Sequence, residues 1–192
     1  MPWLEHSNPP RKKLWKLDGQ LALPLEESRA TADDIFERAE DCELNGDLIR
    51  AERWYRLASK MERTDPVASF NLANVLDALG REQEAALAYQ EAVARDPAFA
   101  EAWVNLGILH ERRGAADAGK RCYARAIAAC PESSEGLHNF ALLLTRANSF
   151  AEAVPLWERY IATKPTDSSR ALRLLALCRI GSNASAEASV CV

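Results

Sequence analysis

The sequence predicts an all-α solenoid: four helix pairs in series, closed by a lone ninth helix. Three observations predict it. A step of 34 residues lines up Gly46, Gly80, Gly114 and Asn148, and likewise Ala51, Ala85, Gly119 and Ala153. The same step lines up Tyr55, Tyr89, Tyr123 and Trp157, with Ala39, Ala73, Gly107 and Ala141 upstream and Ala58, Ala92, Ala126 and Tyr160 downstream. Pro97, Pro131 and Pro165 then recur at the same interval. A fixed period in this range is the signature of a repeat architecture. Each repeat carries two apolar-periodic stretches of helix length. The Gly or Asn between them accepts left-handed backbone and closes the first helix. The proline cannot continue the second. Small columns let helix backbones approach, and the aromatic column fills the space between neighbouring pairs.

Residues 1–30 precede the repeats. The stretch HSNPPRKK reads as disordered. In LWKLDGQLAL, Asp18-Gly19 is a two-residue hairpin signal. An isolated hairpin is marginal in water, so two readings stand. One is a short hairpin packing Trp15, Leu21 or Leu23 on the first repeat; the other is a flexible lead-in. The four repeats are assigned to 31–165, with helices at 32–45 and 47–62, 67–79 and 81–95, 99–113 and 115–129, and 133–147 and 149–163. Thr31 followed by Asp34 is a capping-box variant that starts the first helix. The first repeat departs from the proline column: Arg63 stands there and Pro66 comes three residues later. Residues 166–180 read as a capping helix with Leu172, Leu174, Leu175, Leu177 and Ile180 apolar and Arg170, Arg173 and Arg179 polar. Such a helix covers the open end of a solenoid. Residues 181–192 are small and polar and read as a disordered tail. The third repeat has two helical glycines, Gly107 and Gly119, each costing about 1 kcal/mol against alanine. Gly119→Ala is therefore expected to stabilise the chain, and the helix holding Gly119 to be among the less protected.

The third repeat, with Trp103, Leu106, Gly107, Gly119, Tyr123, Ala126 and Pro131, resembles the tetratricopeptide repeat family. His110 departs from the tyrosine of its column. The likeness covers Ala32 to about Pro165. It implies a right-handed superhelical solenoid whose partners are proteins or peptides. Some family members clamp the terminal carboxylate of chaperone peptides with lysines. Here Phe36, Phe70, Val104, Glu101 and Glu135 stand at those places. Carboxylates would repel the anion, so that recognition is not expected.

Composition narrows the function. The chain has 192 residues, is 48% hydrophobic and 27% charged, and carries a formal net charge of -4. That balance gives no basic face for nucleic acid and none for an anionic membrane. There is no apolar run near the roughly 20 residues of a spanning helix and no secretory signal. Five widely spaced cysteines without a C-x-x-C favour reduced thiols in a cytoplasmic protein over a disulfide framework or zinc site. Cys42 and Cys178 share a column and read as core thiols. The stretch GAADAGKR imitates a phosphate loop, with Gly114, Gly119 and Lys120 in place. Arg121 replaces the hydroxyl residue, and a helix rather than a strand precedes it. Both glycines belong to repeat columns, so no nucleotide is expected. The three histidines have no ligand or triad spacing. No catalytic residue, cofactor or metal is expected.

The remaining candidates form a groove. First helices of each pair line the concave side of a solenoid, which is the usual binding surface. Asn71, Asn105 and Asn139 form a column there, again 34 apart. A carboxamide both donates and accepts, so such a ladder can hold a peptide backbone of any sequence. Phe70, Asn74, Ile108, His138 and Leu142 flank it, with Arg112 and Arg146 towards the C-terminal end. The groove is expected to be acidic at its N-terminal end, apolar in the middle and more basic at the C-terminal end. Phe70 and Ile108 would receive an apolar anchor. The reading is a non-catalytic module binding an extended peptide or partner helix. The alternatives are an adaptor or chaperone subunit of a bacterial regulatory or secretion complex, drawn from the family likeness and the basic start Arg11, Lys12, Lys13 and Trp15, and an enzyme with an unrecognised site.

Overall fold

The computed structural model of the protein describes residues 16–17, 20–21, 30–163, 165–166 and 168–190. Two short strands, β1 (Lys16–Leu17) and β2 (Gln20–Leu21), pair antiparallel with Lys16 opposite Leu21 and Leu17 opposite Gln20. The ladder therefore brackets Asp18-Gly19. The expected packing of Trp15, Leu21 or Leu23 lies outside the described side chains.

The helix pairs are α1 (Ala32–Leu44) and α2 (Leu48–Met61), α3 (Val67–Ala78) and α4 (Glu82–Arg95), α5 (Ala100–Arg112) and α6 (Ala116–Ala129), and α7 (Ser134–Arg146) and α8 (Phe150–Ala162). Each helix packs on its pair partner and on the next helix in the chain. The result is an all-α solenoid. Thr31 starts α1 through a reciprocal capping box: its backbone N–H donates to Asp34 Oδ2 at 2.8 Å, and its hydroxyl accepts from the Asp34 N–H at 3.2 Å. These bonds hold the Asp34 carboxyl below the usual carboxylate range.

Four identical turns follow from the Gly/Asn column. Gly46, Gly80, Gly114 and Asn148 have φ of 74°, 74°, 75° and 56°. In each turn the next residue's N–H reaches back five residues, as in Asp47 to the Cys42 carbonyl at 2.8 Å and Ala115 to the His110 carbonyl at 2.9 Å. This Schellman closure satisfies the last carbonyls of the first helix and reverses the chain. Gly114 is thus a helix stop, and Gly119 and Lys120 lie inside α6.

The columns are the core. Ala39, Ala51, Ala73, Ala85, Ala141 and Ala153 are fully buried, as are Tyr55, Tyr123 and Trp157. At the third repeat the two glycine columns meet. A methyl built on Gly107 would lie 2.6 Å from Tyr123 Cε1, and one on Gly119 would lie 3.2 Å from the Gly107 carbonyl oxygen. The expected gain from Gly119→Ala therefore meets an obstacle that the other repeats do not announce: α5 and α6 cross backbone to backbone there.

Where the first repeat lacks its proline, an arginine fills the role. Arg95 of α4 has a largely buried side chain that donates to the Ser59, Glu62 and Asp65 carbonyls at 2.9, 3.1 and 2.8 Å. It also donates to Ser59 Oγ at 3.0 Å, beside the buried Ser59–Ser69 hydroxyl pair. The second repeat thereby ties down the irregular turn of the first.

The lone last helix, α9 (Ser168–Val190), corrects the expectation of a cap ending at 180 and a disordered tail from 181. Its Ala171, Leu175 and Cys178 are buried, joining the core of α7 and α8. Two features let it run on. Ser182 stands where Gly46, Gly80, Gly114 and Asn148 end their helices, so no left-handed residue stops it. Gly181 passes so close to Phe150 of α8 that a methyl there would overlap the ring. Alanines 184, 186 and 188 then favour helix.

Candidate functional site

The first helices α1, α3, α5 and α7 carry the candidate column. Asn71, Asn105 and Asn139 are all half-buried, as are Phe70, Asn74, Ile108, His138 and Leu142, while Arg112 and Arg146 are exposed. The carboxamides are oriented by side chains of the array. Asn71 Nδ2 donates to the Tyr55 hydroxyl at 3.5 Å. Asn105 Nδ2 donates to Asn74 Oδ1 at 3.1 Å, and the Tyr89 hydroxyl donates to the same oxygen at 2.6 Å. Asn139 Oδ1 lies 3.3 Å from His138 Nδ1.

Behind this row lies a regularity that sequence reasoning did not name. Each buried aromatic of a second helix sends its polar tip to the first helix of its own pair. Tyr55 donates to Glu43 at 2.8 Å, Tyr123 to Glu111 at 2.5 Å, and Trp157 Nε1 to Thr145 Oγ1 at 2.9 Å. In these three the offset is twelve residues, so the signal was present in the spacing. Burial and the adjoining carboxylate push the Tyr55 and Tyr123 phenols far up. Tyr89 takes Asn74 instead, because Asp77 is held by Arg112 of the next repeat. Burial and the Asp77 charge raise the Tyr89 phenol to about 12.

The charge pattern differs from the expected gradient at one end. At the N-terminal end, Glu37, Glu40, Asp41 and Glu43 line a recess of about 520 Å³ with Tyr55 and Asn71. This end is acidic. At the other end Arg112 pairs with Asp77 and with Glu82 at 3.3 Å, and Arg146 approaches Glu111 at 3.5 Å. Each arginine reaches back to the preceding repeat and is partly neutralised there. The apolar middle also serves the core. Phe70 packs on Phe99 with the rings tilted and centroids 4.8 Å apart, and Ile108 packs beside Val104 and Tyr123. His138 sits between the Trp157 and Tyr160 rings, at 5.6 and 5.2 Å. Among the described residues no cluster of His, Cys, Asp and Glu has metal-site geometry. No described helix is long and apolar enough to cross a membrane.

Residues 67–99, the whole second pair with its closing proline, match the family model described as Tetratricopeptide repeat. That stretch is a tetratricopeptide repeat. Its array is 32% identical over 105 residues to the peroxisomal targeting signal receptor of Yarrowia lipolytica, covering 54% of this chain and 17% of that protein. The receptor of the same description in Candida albicans is 33% identical over 81 residues, covering 42% and 14%. The chain thus spans less than a fifth of either relative. The crystal structure of MamA superposes with a TM-score of 0.71 at 21% identity, over 86% of this chain and 88% of that one. That likeness shows the shared fold. So does YrrB, described as a TPR protein with an unusual peptide-binding site, with a TM-score of 0.69 at 16% identity over 83% and 81%. Such arrays are interaction scaffolds, and the tetratricopeptide columns account for both glycines of the apparent phosphate loop.

Proposed function

We propose that the face built by α1, α3, α5 and α7 is a non-catalytic groove that holds an extended peptide or partner helix. The observation that carries this is the row of half-buried carboxamides, Asn71, Asn105 and Asn139, fixed by internal contacts. A carboxamide has two N–H donors and a carbonyl. These internal bonds use one N–H of Asn71 and one of Asn105. Each amide can therefore pair with a ligand backbone without reorganising, which limits the ordering cost of binding. The acidic recess at the N-terminal end suits a cationic residue in the ligand, and Ile108 and Leu142 suit an apolar one. A relative named as a targeting-signal receptor and a fold neighbour described with a peptide-binding site support a protein partner. Free thiols such as Cys178 fit a cytoplasmic setting.

The test is partner capture from native lysate with the triple substitution Asn71→Ala, Asn105→Ala, Asn139→Ala. The expected outcome is loss of the partner with unchanged far-ultraviolet circular dichroism. Equal capture by the substituted chain would remove the ladder from the account.

A further inference from the structure

A second groove lies on the opposite side of the repeats, between α4 and α6. Its volume is about 450 Å³, inside the roughly 300–1,000 Å³ typical of ligand pockets. Val93, Trp103, Leu106 and Cys122 form an apolar floor, and Gln90, His110, Arg121 and Arg125 stand around it. The floor belongs to three elements, so the groove is built by the joint between the second and third repeats.

Three features of this groove have no structural account. First, His110 occupies a column that holds Cys42, Leu76, Leu144 and Cys178 in the other repeats. The apolar residue of that column is replaced here by an imidazole, half-buried and without a hydrogen bond to another described residue. Second, Arg121 and Arg125 are one turn apart on α6 and form no ion pair among the described residues. Arg56, Arg81, Arg95, Arg112, Arg146 and Arg179 do, while Arg53, Arg63, Arg113, Arg170 and Arg173 also lack one but do not line this groove. Like charges four residues apart on a helix repel. Asp117, one turn before Arg121, forms no ion pair with it either. Third, Leu87 on α4 is 66% exposed one turn before Gln90, which lengthens the apolar strip.

The positive charge around the groove is also felt within it. Burial, then Arg113 and Arg121, hold the His110 imidazole below its ordinary value. Burial lifts the Cys122 thiol to about 11, so this cysteine is a packing group and not a nucleophile. An apolar trough edged by uncompensated guanidinium groups is complementary to an apolar side chain next to carboxylates. We propose that the α4–α6 groove is a second docking site, for a partner peptide segment that carries Asp or Glu beside a large apolar residue. Two parallel helix walls suit such a segment, with the apolar side chain on Trp103 and Leu106 and the carboxylates on Arg121 and Arg125. The acidic recess on the other face would repel the same ligand, so the two faces select partners of opposite charge.

The test uses the full chain, labelled with ¹⁵N, and a hexapeptide of alternating acidic pairs around Leu-Phe (Glu-Asp-Leu-Phe-Glu-Asp). The control peptide replaces every acid by its amide. Binding of the acidic peptide should shift the amides of Val93, Ala94, Ala118 and Cys122, and the amide control should bind at least about tenfold more weakly. The double variant Arg121→Glu, Arg125→Glu changes only exposed side chains and should weaken the acidic peptide by about tenfold or more. No shift at millimolar acidic peptide, equal binding of the control, or shifts confined to Asn71, Asn105 and Asn139 would each overturn the proposal. The last outcome would leave the first groove standing, and failure of the asparagine variants would leave this one standing.

Discussion

Replacing Gly107 by alanine should destabilise the array, although alanine is the better helix former. Helix propensity favours the change by about 1 kcal/mol. The new methyl would lie 2.6, 2.9 and 3.0 Å from Cε1, Cδ1 and Cζ of Tyr123. Carbon pairs settle at about 3.5–4.0 Å, so the ring would have to retreat by about 1 Å. It has little room to do so. Tyr123 is fully buried, its hydroxyl is tied to Glu111 at 2.5 Å, and Phe140 packs nearby at 6.1 Å between centroids. Overpacking costs about 1–3 kcal/mol, and a disturbed hydrogen bond to a carboxylate adds about 1.5–3 kcal/mol. Set against the helix gain, the net expectation is a loss of about 1.5–5 kcal/mol, or about 3–20 °C in Tm for a chain of this size. Urea unfolding followed by circular dichroism reads it directly. Tyr123→Leu removes the obstructing ring, so the double substitution should fall short of the sum of the singles. A Gly107→Ala chain as stable as the parent would refute the close crossing of α5 and α6.

Gly119→Ala should change stability by less than about 0.5 kcal/mol, because the helix gain meets a backbone carbonyl at 3.2 Å; urea midpoints check it. Thr145→Val should cost about 1–3 kcal/mol in the same assay. It leaves the buried Trp157 indole N–H without its acceptor and removes the contact to Cys178 Sγ at 3.3 Å. Arg95→Leu should cost about 2–3 kcal/mol, since charge-assisted bonds to three carbonyls of the Ser59–Asp65 turn disappear together. Its loss should appear first as faster amide exchange in that turn. For His110, whose folded value lies below the ordinary 6.5, the unfolded chain takes up the proton first. Stability should therefore fall as pH drops below about 6.5, down to the folded value, and be flat above it. The parent should lose stability from pH 7 to 5.5 relative to His110→Leu; parallel pH profiles would contradict this.

Much of the fold was legible because the repeat states each helix end four times. A single glycine such as Gly114 is ambiguous, and in GAADAGKR it even imitates a phosphate loop. Placed in register with Gly46 and Gly80 it becomes a left-handed helix stop, which its φ of 75° bears out. Where the repeat ends, so does that redundancy. The extension of α9 past Gly181 depends on a close pass over Phe150 that no column records. The candidate face was only partly legible for a related reason. Column position places Asn71, Asn105 and Asn139 on one face, but their orientation depends on Tyr55, Tyr89 and Asn74. The arginines show the limit most clearly. Arg112 and Arg146 looked like a free basic end. Their reach of 35 residues back to Asp77 and Glu111 turns them into ties between repeats. Arg121, which the sequence offered only as the flaw in the apparent phosphate loop, and Arg125 are the groove cations that form no ion pair among the described residues.

The most direct test of the central claim is hydrogen exchange read by mass spectrometry, on the chain alone and with its captured partner. Partner binding should slow exchange in α3, α5 and α7 around Asn71, Asn105 and Asn139, and the triple alanine substitution should abolish that protection. A partner that leaves those three helices unchanged would contradict the account.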